Sequence, residues 1–197
     1  MIALFFEVEP HPGHEQAYLD LAARLRPELE RNGGVACLNR YRSLERPTRL
    51  LSHQYWHDRA HLDLWRNHSG HKAVQRAGRE RHFADYRLRV GPVIAEQRPG
   101  GTAQRTADFD GAATGSRFIV SVEAKGRPVV LAGGESFESV YAPGEMVSLG
   151  SFVRVADGLA GLAAAAVRAD AVVARLIAVE RDYGPVHRAE APPDLGP

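Results

Sequence analysis

The chain of 197 residues has one cysteine, lysine only at positions 72 and 125, and no long apolar segment. The single cysteine, Cys37, excludes an intrachain disulfide and any metal site built from several cysteines. No apolar stretch approaches the roughly 20 residues of a membrane-spanning helix. The amino-terminal segment MIALFFEVEP has a short apolar run with no cationic residue before it, so we expect no signal peptide. These absences favour a cytoplasmic protein.

Charge is nearly balanced over the chain. Lys and Arg together number 25 and Asp and Glu 24, which gives a formal net charge of +1. A balanced chain has no global field to attract nucleic acid or an anionic membrane, so we expect neither as a partner. Small-molecule binding and catalysis remain as function classes.

The first half alternates strand and helix patterns. Apolar residues recur at every fourth position from Ala17 to Leu29, which predicts a helix with one apolar face that stops at the glycine pair 33–34. Pro27 inside this pattern predicts a kink or a tightened last turn. The predicted elements are a strand at 2–8, this helix, strands at 35–44 and 48–56, two short helices at 57–67 and 70–78, and a strand at 83–97. This β-α-β-β-α-β order is the ferredoxin-like unit.

The second half repeats this order in an eroded form. From the proline of each hairpin onward, PTRLLSHQYW and PGEMVSLGSF match without a gap, so Ser52 corresponds to Ser148 and Trp56 to Phe152. Only residues 126–133 lie between the first strand and the hairpin of the second half, too few for the long first helix. The predicted organisation is a ferredoxin-like domain at 1–98, a linker at 99–115, a degenerate repeat at 116–190 that ends in a helix at 156–170 and a strand at 171–183, and a tail at 191–197.

The predicted fold class is α+β, with two ferredoxin-like units in one chain. Such a unit carries its helices on one face of the sheet and leaves the other apolar face to be covered. Two units can cover each other within one chain as a pseudo-dimer, or each can pair with its mate in a second chain as a homodimer. Both arrangements give a dimeric α/β-barrel-type assembly, and the sequence leaves the choice between them open.

The first half resembles the antibiotic biosynthesis monooxygenase (ABM) superfamily of dimeric α+β barrels. The resemblance is carried by the β-α-β-β-α-β order, by Trp56 at the end of a strand, by WRNHSGHKAVQ in the second helical region and by DYRLRVGPVI in the last strand. It covers residues 1–98 well and residues 116–190 weakly, through the duplication. The resemblance implies an enzyme that oxidises an aromatic or polyketide-type small molecule with O2.

One chemistry in this family is the cofactor-free oxygenation of phenols to quinones. Its pattern has an Asn on the third strand, a Trp four residues later, a Tyr six residues beyond the Trp and an Arg twenty beyond it. Trp56 and Arg76 match this pattern, whereas Ser52 stands at the Asn position and Leu62 at the Tyr position.

A second chemistry in the family is haem degradation, which gives haem as the alternative cofactor. Its pattern has two Trp nine residues apart and an iron-ligating His ten residues further on. Trp56 and Trp65 have this spacing, but Gln75 stands at the His position, and His71 lies one helical turn earlier. The Asn that this group carries on the first strand falls near residues 6–7, which are Phe and Glu here.

A cofactor-free oxygenase needs an apolar slot, a base, and a donor or cation that holds an enolate. Aromatic rings stack on flat substrates, an imidazole titrates near neutral pH and a guanidinium stays charged. The predicted catalytic residues are Ser52, Trp56, His71 and Arg76, and the predicted substrate-binding residues are Leu62, Trp65, His68 and Tyr86.

Each of these residues also has a purely structural interpretation. Trp56 and Trp65 fit core packing, and a helical arginine such as Arg76 is most often solvated or ion-paired. His57 and His61 lie four residues apart on a helix but have no third ligand on that face, so no metal is expected. A haem protein, or a non-catalytic ligand-binding or assembly domain, therefore stands beside the enzyme hypothesis.

Overall fold

The computed structural model describes residues 1–106 and 117–192, and these residues form ten strands and four helices. The strands are β1 (Ile2–Pro10), β2 (Val35–Ser43), β3 (Leu50–Trp56), β4 (Phe83–Gln97), β5 (Gln104–Arg105), β6 (Arg117–Lys125), β7 (Glu135–Ser139), β8 (Glu145–Phe152), β9 (Ala171–Val179) and β10 (Arg181–Tyr183). The helices are α1 (Glu15–Asn32), α2 (Arg59–Asn67), α3 (Ser69–Ala77) and α4 (Val155–Ala166), and a π-helical turn (Gly78–His82) joins α3 to β4.

Eight antiparallel strands close into a barrel. Their order is β1-β3-β2-β7-β8-β6-β9-β4, and β4 pairs back onto β1. The pairs β2–β7 and β4–β9 join the two halves of the chain. The predicted fold of two ferredoxin-like units, the second without its first helix, is therefore confirmed. The two units cover each other within one chain, which answers the question that the sequence left open.

Side chains on the strands alternate between the barrel interior and the helices. On β1, Ala3 and Phe5 join the interior apolar cluster, whereas Ile2 packs among residues of the helices. The interior also holds an ion pair in which Arg89 Nη2 lies 2.5 Å from Glu7 Oε1, and both side chains are almost fully buried. The alternation leaves the even-numbered positions of β1 and β3 to face the helices of the first unit.

The helices of the first unit follow their sequence signals closely. Helix α1 continues through Pro27 to Asn32, and Gly33, whose φ of 73° favours glycine, caps its end. Helix α2 begins after Asp58, whose carboxylate accepts the backbone N–H of His61 at 2.9 Å. His68 ends α2 and begins α3 in an extended conformation. The predicted break between two short helices is thereby confirmed.

The second unit packs α4 directly on its sheet. Gly150 stands where the first unit has Gln54, two residues after Ser148, and a Cβ on Gly150 would lie 3.0 Å from Leu131 Cδ1. Phe152 packs against Gly161 of α4 in the same way. Leucine and phenylalanine side chains thus occupy the space that a longer polar side chain takes in the first unit.

The chain beyond β9 differs from the sequence prediction. The predicted single strand at 171–183 is interrupted at Glu180, and β10 pairs with β4 beside the first unit. Within the predicted linker, β5 pairs with the end of β4, while residues 107–116 lie outside the described part of the chain. The predicted tail lies mostly among 193–197, which are also outside it. None of the described helices is long and apolar enough to cross a membrane.

Candidate functional site

A cavity of about 170 Å³ lies between the sheet and the helices of the first unit. Its floor is made of two rows of residues that are paired across the strands, one running Arg40–Ser52–Phe6–Leu88 and the next Leu38–Gln54–Leu4–Val90. All eight side chains line the cavity. The floor is therefore apolar on the β1–β4 side, whereas the β2–β3 side carries the polar residues Arg40, Ser52 and Gln54 beside Leu38.

Three side chains on one face of β3 form a chain of hydrogen bonds. Trp56 Nε1 donates to Gln54 Oε1 at 3.0 Å, and Gln54 Nε2 donates to Ser52 Oγ at 3.0 Å. Because an indole N–H only donates, Trp56 fixes the orientation of the Gln54 amide. Ser52 Oγ accepts from Gln54, so its own hydroxyl hydrogen is left for a further acceptor.

Helices α1, α2 and α3 form the opposite wall. The apolar stripe of α1 faces the cavity through Leu21, Leu25 and Leu29, as its spacing predicts. Trp65 of α2 also lines the cavity and is 6% exposed.

His71 of α3 stacks on Trp65, with ring centres 4.6 Å apart. His71 Nδ1 lies 3.0 Å from the backbone carbonyl oxygen of Trp65, which assigns the proton of the neutral ring to Nδ1 and leaves Nε2 as the basic nitrogen. Burial lowers the pKa of His71 to about 4, so the ring is uncharged at neutral pH.

Five of the eight residues predicted from the sequence line the cavity: Ser52, Leu62, Trp65, His71 and Tyr86. Three do not. Trp56 is fully buried beside the floor and reaches the cavity through Gln54. His68 is exposed and stacks on Trp65 at 5.5 Å, and Arg76 is exposed on α3. The structure therefore does not place the predicted guanidinium of Arg76 at the cavity.

Other charged residues line the cavity instead. They are Arg40, Arg59, Arg66, Arg79 and Arg181, with Asp63 as the acidic member. Arg59 pairs with Glu180, and Arg66 Nη1 lies 3.7 Å from Asp63 Oδ1. Arginine side chains thus outnumber acidic side chains in the lining, and Glu180 and Asp63 offset part of their charge.

The carboxyl-terminal part of the chain completes the wall near β4. Tyr183 of β10 lines the cavity, and Arg188 Nη1 donates to the hydroxyl oxygen of Tyr86 at 2.9 Å. Burial raises the pKa of Tyr183, so its hydroxyl stays protonated at neutral pH. The second half of the chain thus supplies part of the first unit's site.

No group of three or more His, Cys, Asp or Glu side chains among the described residues is arranged to hold a metal ion. His61 is instead engaged by the carboxylate of Asp58, with its Nδ1 2.9 Å from both oxygens. His57, which was weighed together with His61 as a metal ligand, is exposed.

Sequence reasoning missed Gln54 and Arg40. Strand alternation alone places Gln54 on the same face as Ser52 and Trp56, so the period-two pattern contains the signal. Arg40 requires the cross-strand register, because it faces the cavity as the pairing partner of Ser52. That register is a tertiary feature of the hairpin.

The model of the family "Antibiotic biosynthesis monooxygenase" matches residues 1–77 of the chain. A jasmonate monooxygenase ABM from Pyricularia oryzae is 31% identical over an alignment of 217 positions, gaps included, that covers 98% of this chain and 97% of the relative. Two proposed monooxygenases of known structure are more distant. The protein from Lactobacillus acidophilus is 8% identical over 90% of this chain and 93% of its own, with a TM-score of 0.45. The protein from Fusobacterium nucleatum is 10% identical over 91% and 92%, with a TM-score of 0.44.

The fungal relative matches both halves of the chain, and the family model covers most of the unit that holds the cavity. The closed eight-stranded barrel agrees with this assignment. The chain belongs to the antibiotic biosynthesis monooxygenase family.

Proposed function

We propose that this chain oxidises a one- or two-ring organic molecule with O2 in the cavity of the first unit, without a bound cofactor. The observation that carries the proposal is the hydrogen-bond chain that ends at the Ser52 hydroxyl in the floor of the cavity, beside the apolar β1–β4 side of that floor. The volume of about 170 Å³ is close to that of cavities that hold a benzene-sized ligand. The fungal relative is named as a jasmonate monooxygenase, and its similarity over nearly the whole chain supports oxygenation of a small molecule here.

The proposed reaction converts a methylene group flanked by unsaturated carbons into a carbonyl group. One oxygen atom of O2 becomes the carbonyl oxygen, and the other leaves as water with the two methylene hydrogens, so the substrate supplies all the electrons. Loss of a proton gives an enolate, which passes an electron to O2; the resulting radicals combine to form a C–O bond. Loss of water from the peroxide gives the product. The protein must stabilise the enolate and keep bulk water away from it.

Ser52 is placed to stabilise the enolate oxygen. Its hydroxyl hydrogen is directed away from the Gln54 amide, and the chain from Trp56 polarises that O–H bond because hydrogen bonds in series strengthen one another. The side chain is 2% exposed, so the hydrogen bond to substrate forms in a low-dielectric setting.

His71 is the proposed proton acceptor. Its Nδ1–H is held by the Trp65 carbonyl, which keeps the tautomer with a free Nε2. A ring with a pKa of about 4 is unprotonated at neutral pH but is a weak base. The hydrogen bond from Ser52 must therefore lower the pKa of the substrate's C–H bond for transfer to occur.

Oxygen uptake tests the proposal. Purified protein freed of flavin, haem and metal ions is mixed with 1-naphthol, whose keto tautomer carries the required methylene group, and O2 consumption and quinone formation are recorded together. We expect one quinone per O2 consumed, with no effect of a metal chelator. Turnover that begins only after a reductant and flavin or haem are added would contradict cofactor independence while leaving the family assignment intact.

Haem fits the cavity poorly. Gln75 stands where the haem-degrading pattern of the family has its iron-ligating His. Among the described lining residues His71 is the sole imidazole, and its Nδ1 is already engaged. Haemin added to the protein is expected to give no shifted Soret band. A shifted band that bleaches with ascorbate would favour the haem alternative.

A further inference from the structure

Arg40 is a cation in the floor of the cavity that forms no ion pair with a carboxylate of the described residues. Its Nε is fully buried and has no hydrogen-bond partner. The guanidinium carbon lies 5.9 Å from the centre of the Tyr18 ring, and the other polar neighbour is the phenol of Tyr141. Neutral phenols orient a guanidinium but do not cancel its charge.

Nearby arginines differ from Arg40 in this respect. Two positions along the same strand, Arg42 forms a bidentate pair with Glu15. Across the cavity, Arg59 pairs with Glu180. The chain thus supplies carboxylates to these neighbouring arginines, whereas the described residues offer none to the cation on the floor.

The scaffold does not need a cation at this place. In the second unit, the residue paired across the strands with Ser148 is Ser136, just as Arg40 is paired with Ser52. Ser136 and Ser148 form a hydrogen bond of 3.1 Å, and that half of the barrel is packed without a charge there. The barrel therefore does not require the charge of Arg40, and we attribute this charge to the function of the cavity.

A partly buried guanidinium without a counter-ion destabilises the protein, because an ion loses favourable hydration when it is removed from water. A ligand anion offsets that cost, and a planar guanidinium matches the two oxygens of a carboxylate better than any other side chain does. We propose that the cavity takes a small organic acid, whose carboxylate pairs with Arg40 and whose apolar body lies over Phe6 and Leu88. The binding of this acid is independent of the proposed reaction. Only the statement that the acid is also the substrate rests on the proposed function.

The register of the sheet also places a second polar group beside Arg40. Arg40 and Ser52 are neighbours on adjacent strands, and both line the cavity. The substrate class is therefore an acid that carries a second oxygen, or an enolisable carbon beside one, within reach of the Ser52 hydroxyl while the carboxylate pairs with Arg40.

Binding of a matched ligand pair tests the inference without requiring turnover. 3-Phenylpropanoate and 3-phenylpropanamide have nearly the same shape and differ in charge, and calorimetry near neutral pH gives the affinity of each. We expect the wild-type protein to bind the acid about tenfold tighter than the amide, as for one charge-assisted pair. Arg40→Met is expected to abolish this preference and Arg40→Lys to retain part of it. Arg76→Met, which removes an exposed arginine outside the cavity, is the control that keeps the preference.

Equal affinities in the wild-type protein, no binding of the acid, or a preference that survives in Arg40→Met would overturn the inference. Thermal melting of each variant shows whether it is folded, and Arg40→Lys supplies a charged variant should Arg40→Met unfold. The outcome is independent of the proposed reaction. Equal affinities for acid and amide in a wild-type protein that takes up oxygen reject the anion site alone, and a clear preference in a wild-type protein that takes up no oxygen rejects the reaction alone.

Discussion

The imidazole of His71 lies against the indole of Trp65, with ring planes 22° apart, and its Nδ1 is 3.0 Å from the carbonyl oxygen of the same tryptophan. One residue thus fixes both the position and the tautomer of the imidazole. The two residues come from different helices, and the break at His68 brings the start of α3 back over the end of α2. The contact therefore depends on the short-helix pair that stood out in the sequence.

Replacing His71 by Phe tests its role as a base. The phenyl ring keeps the stack on Trp65 but has no nitrogen, so we expect kcat to fall by about 10²- to 10⁴-fold. The control is His68→Phe, because His68 also stacks on Trp65 but is exposed and does not line the cavity. Steady-state rates with 1-naphthol measure both. Equal losses in the two variants, or no loss in His71→Phe, would remove His71 as the base.

Substitutions at Ser52 and at Ser148, its counterpart in the second unit, distinguish an effect on catalysis from an effect on stability. Ser52→Ala removes the donor at the end of the chain from Trp56, so we expect kcat/KM to fall by about 10²-fold, as for loss of one donor to an oxyanion. Ser148→Ala removes only the hydrogen bond to Ser136, and we expect a loss of about 1 kcal/mol in the free energy of unfolding with unchanged kcat/KM. Kinetics and urea denaturation check both. Activity in Ser52→Ala at the wild-type level would refute the role of its hydroxyl.

Mild acid is expected to destabilise the fold through its buried histidines. Burial lowers the pKa of His53 to about 3 and that of His71 to about 4, whereas both titrate near 6.5 when unfolded. Below about pH 6.5 the unfolded state binds more protons, so the free energy of unfolding falls by about 1.4 kcal/mol per pH unit for each histidine. The decline ends only near the folded-state values.

Urea denaturation between about pH 6.5 and 5 isolates this effect, because carboxylates with lowered pKa values lose their contribution only in stronger acid. His71→Phe is expected to halve the slope over this range. A slope equal to that of the wild-type protein would mean that His71 is protonated in the folded state.

Much of the fold follows from local sequence pattern. Strand β4 has the predicted bounds, 83–97, although Gly91 and Pro92 lie inside it. Pro92, which has no N–H to donate, stands where the pairing with β1 ends, so the strand continues past it. The break at Glu180 was missed because VARLIAVERDY continues a strand pattern without interruption. The break lies beside a close contact between the backbones of β4 and β9. The contact is so close that a Cβ at Gly91 would overlap the carbonyl oxygen of Ala178.

Helix geometry and strand pairing explain which residues of the site were predicted from the sequence and which were missed. On α3, residues three and four positions after His71 share its face, and these are Val74 and Gln75, which line the cavity. Arg76 lies five positions after His71, about 140° around the helix, so helical geometry directs it to solvent. The sequence prediction included Arg76 because its spacing from Trp56 matches the family pattern, and it did not apply this rule of helical geometry. Arg40 lay beyond either rule, because only the pairing of β2 with β3 brings it to Ser52.

Filling the cavity tests most directly whether it is the site of reaction. Ala22 and Ala23 are neighbours on α1; Ala22 lines the cavity, whereas Ala23 is exposed. Ala22→Phe is expected to abolish binding of 3-phenylpropanoate and oxygen uptake with 1-naphthol while the protein stays folded, and Ala23→Phe is expected to leave both within about twofold of wild type. Full activity in a folded Ala22→Phe variant would contradict the account, because the reaction would then take place elsewhere on the molecule.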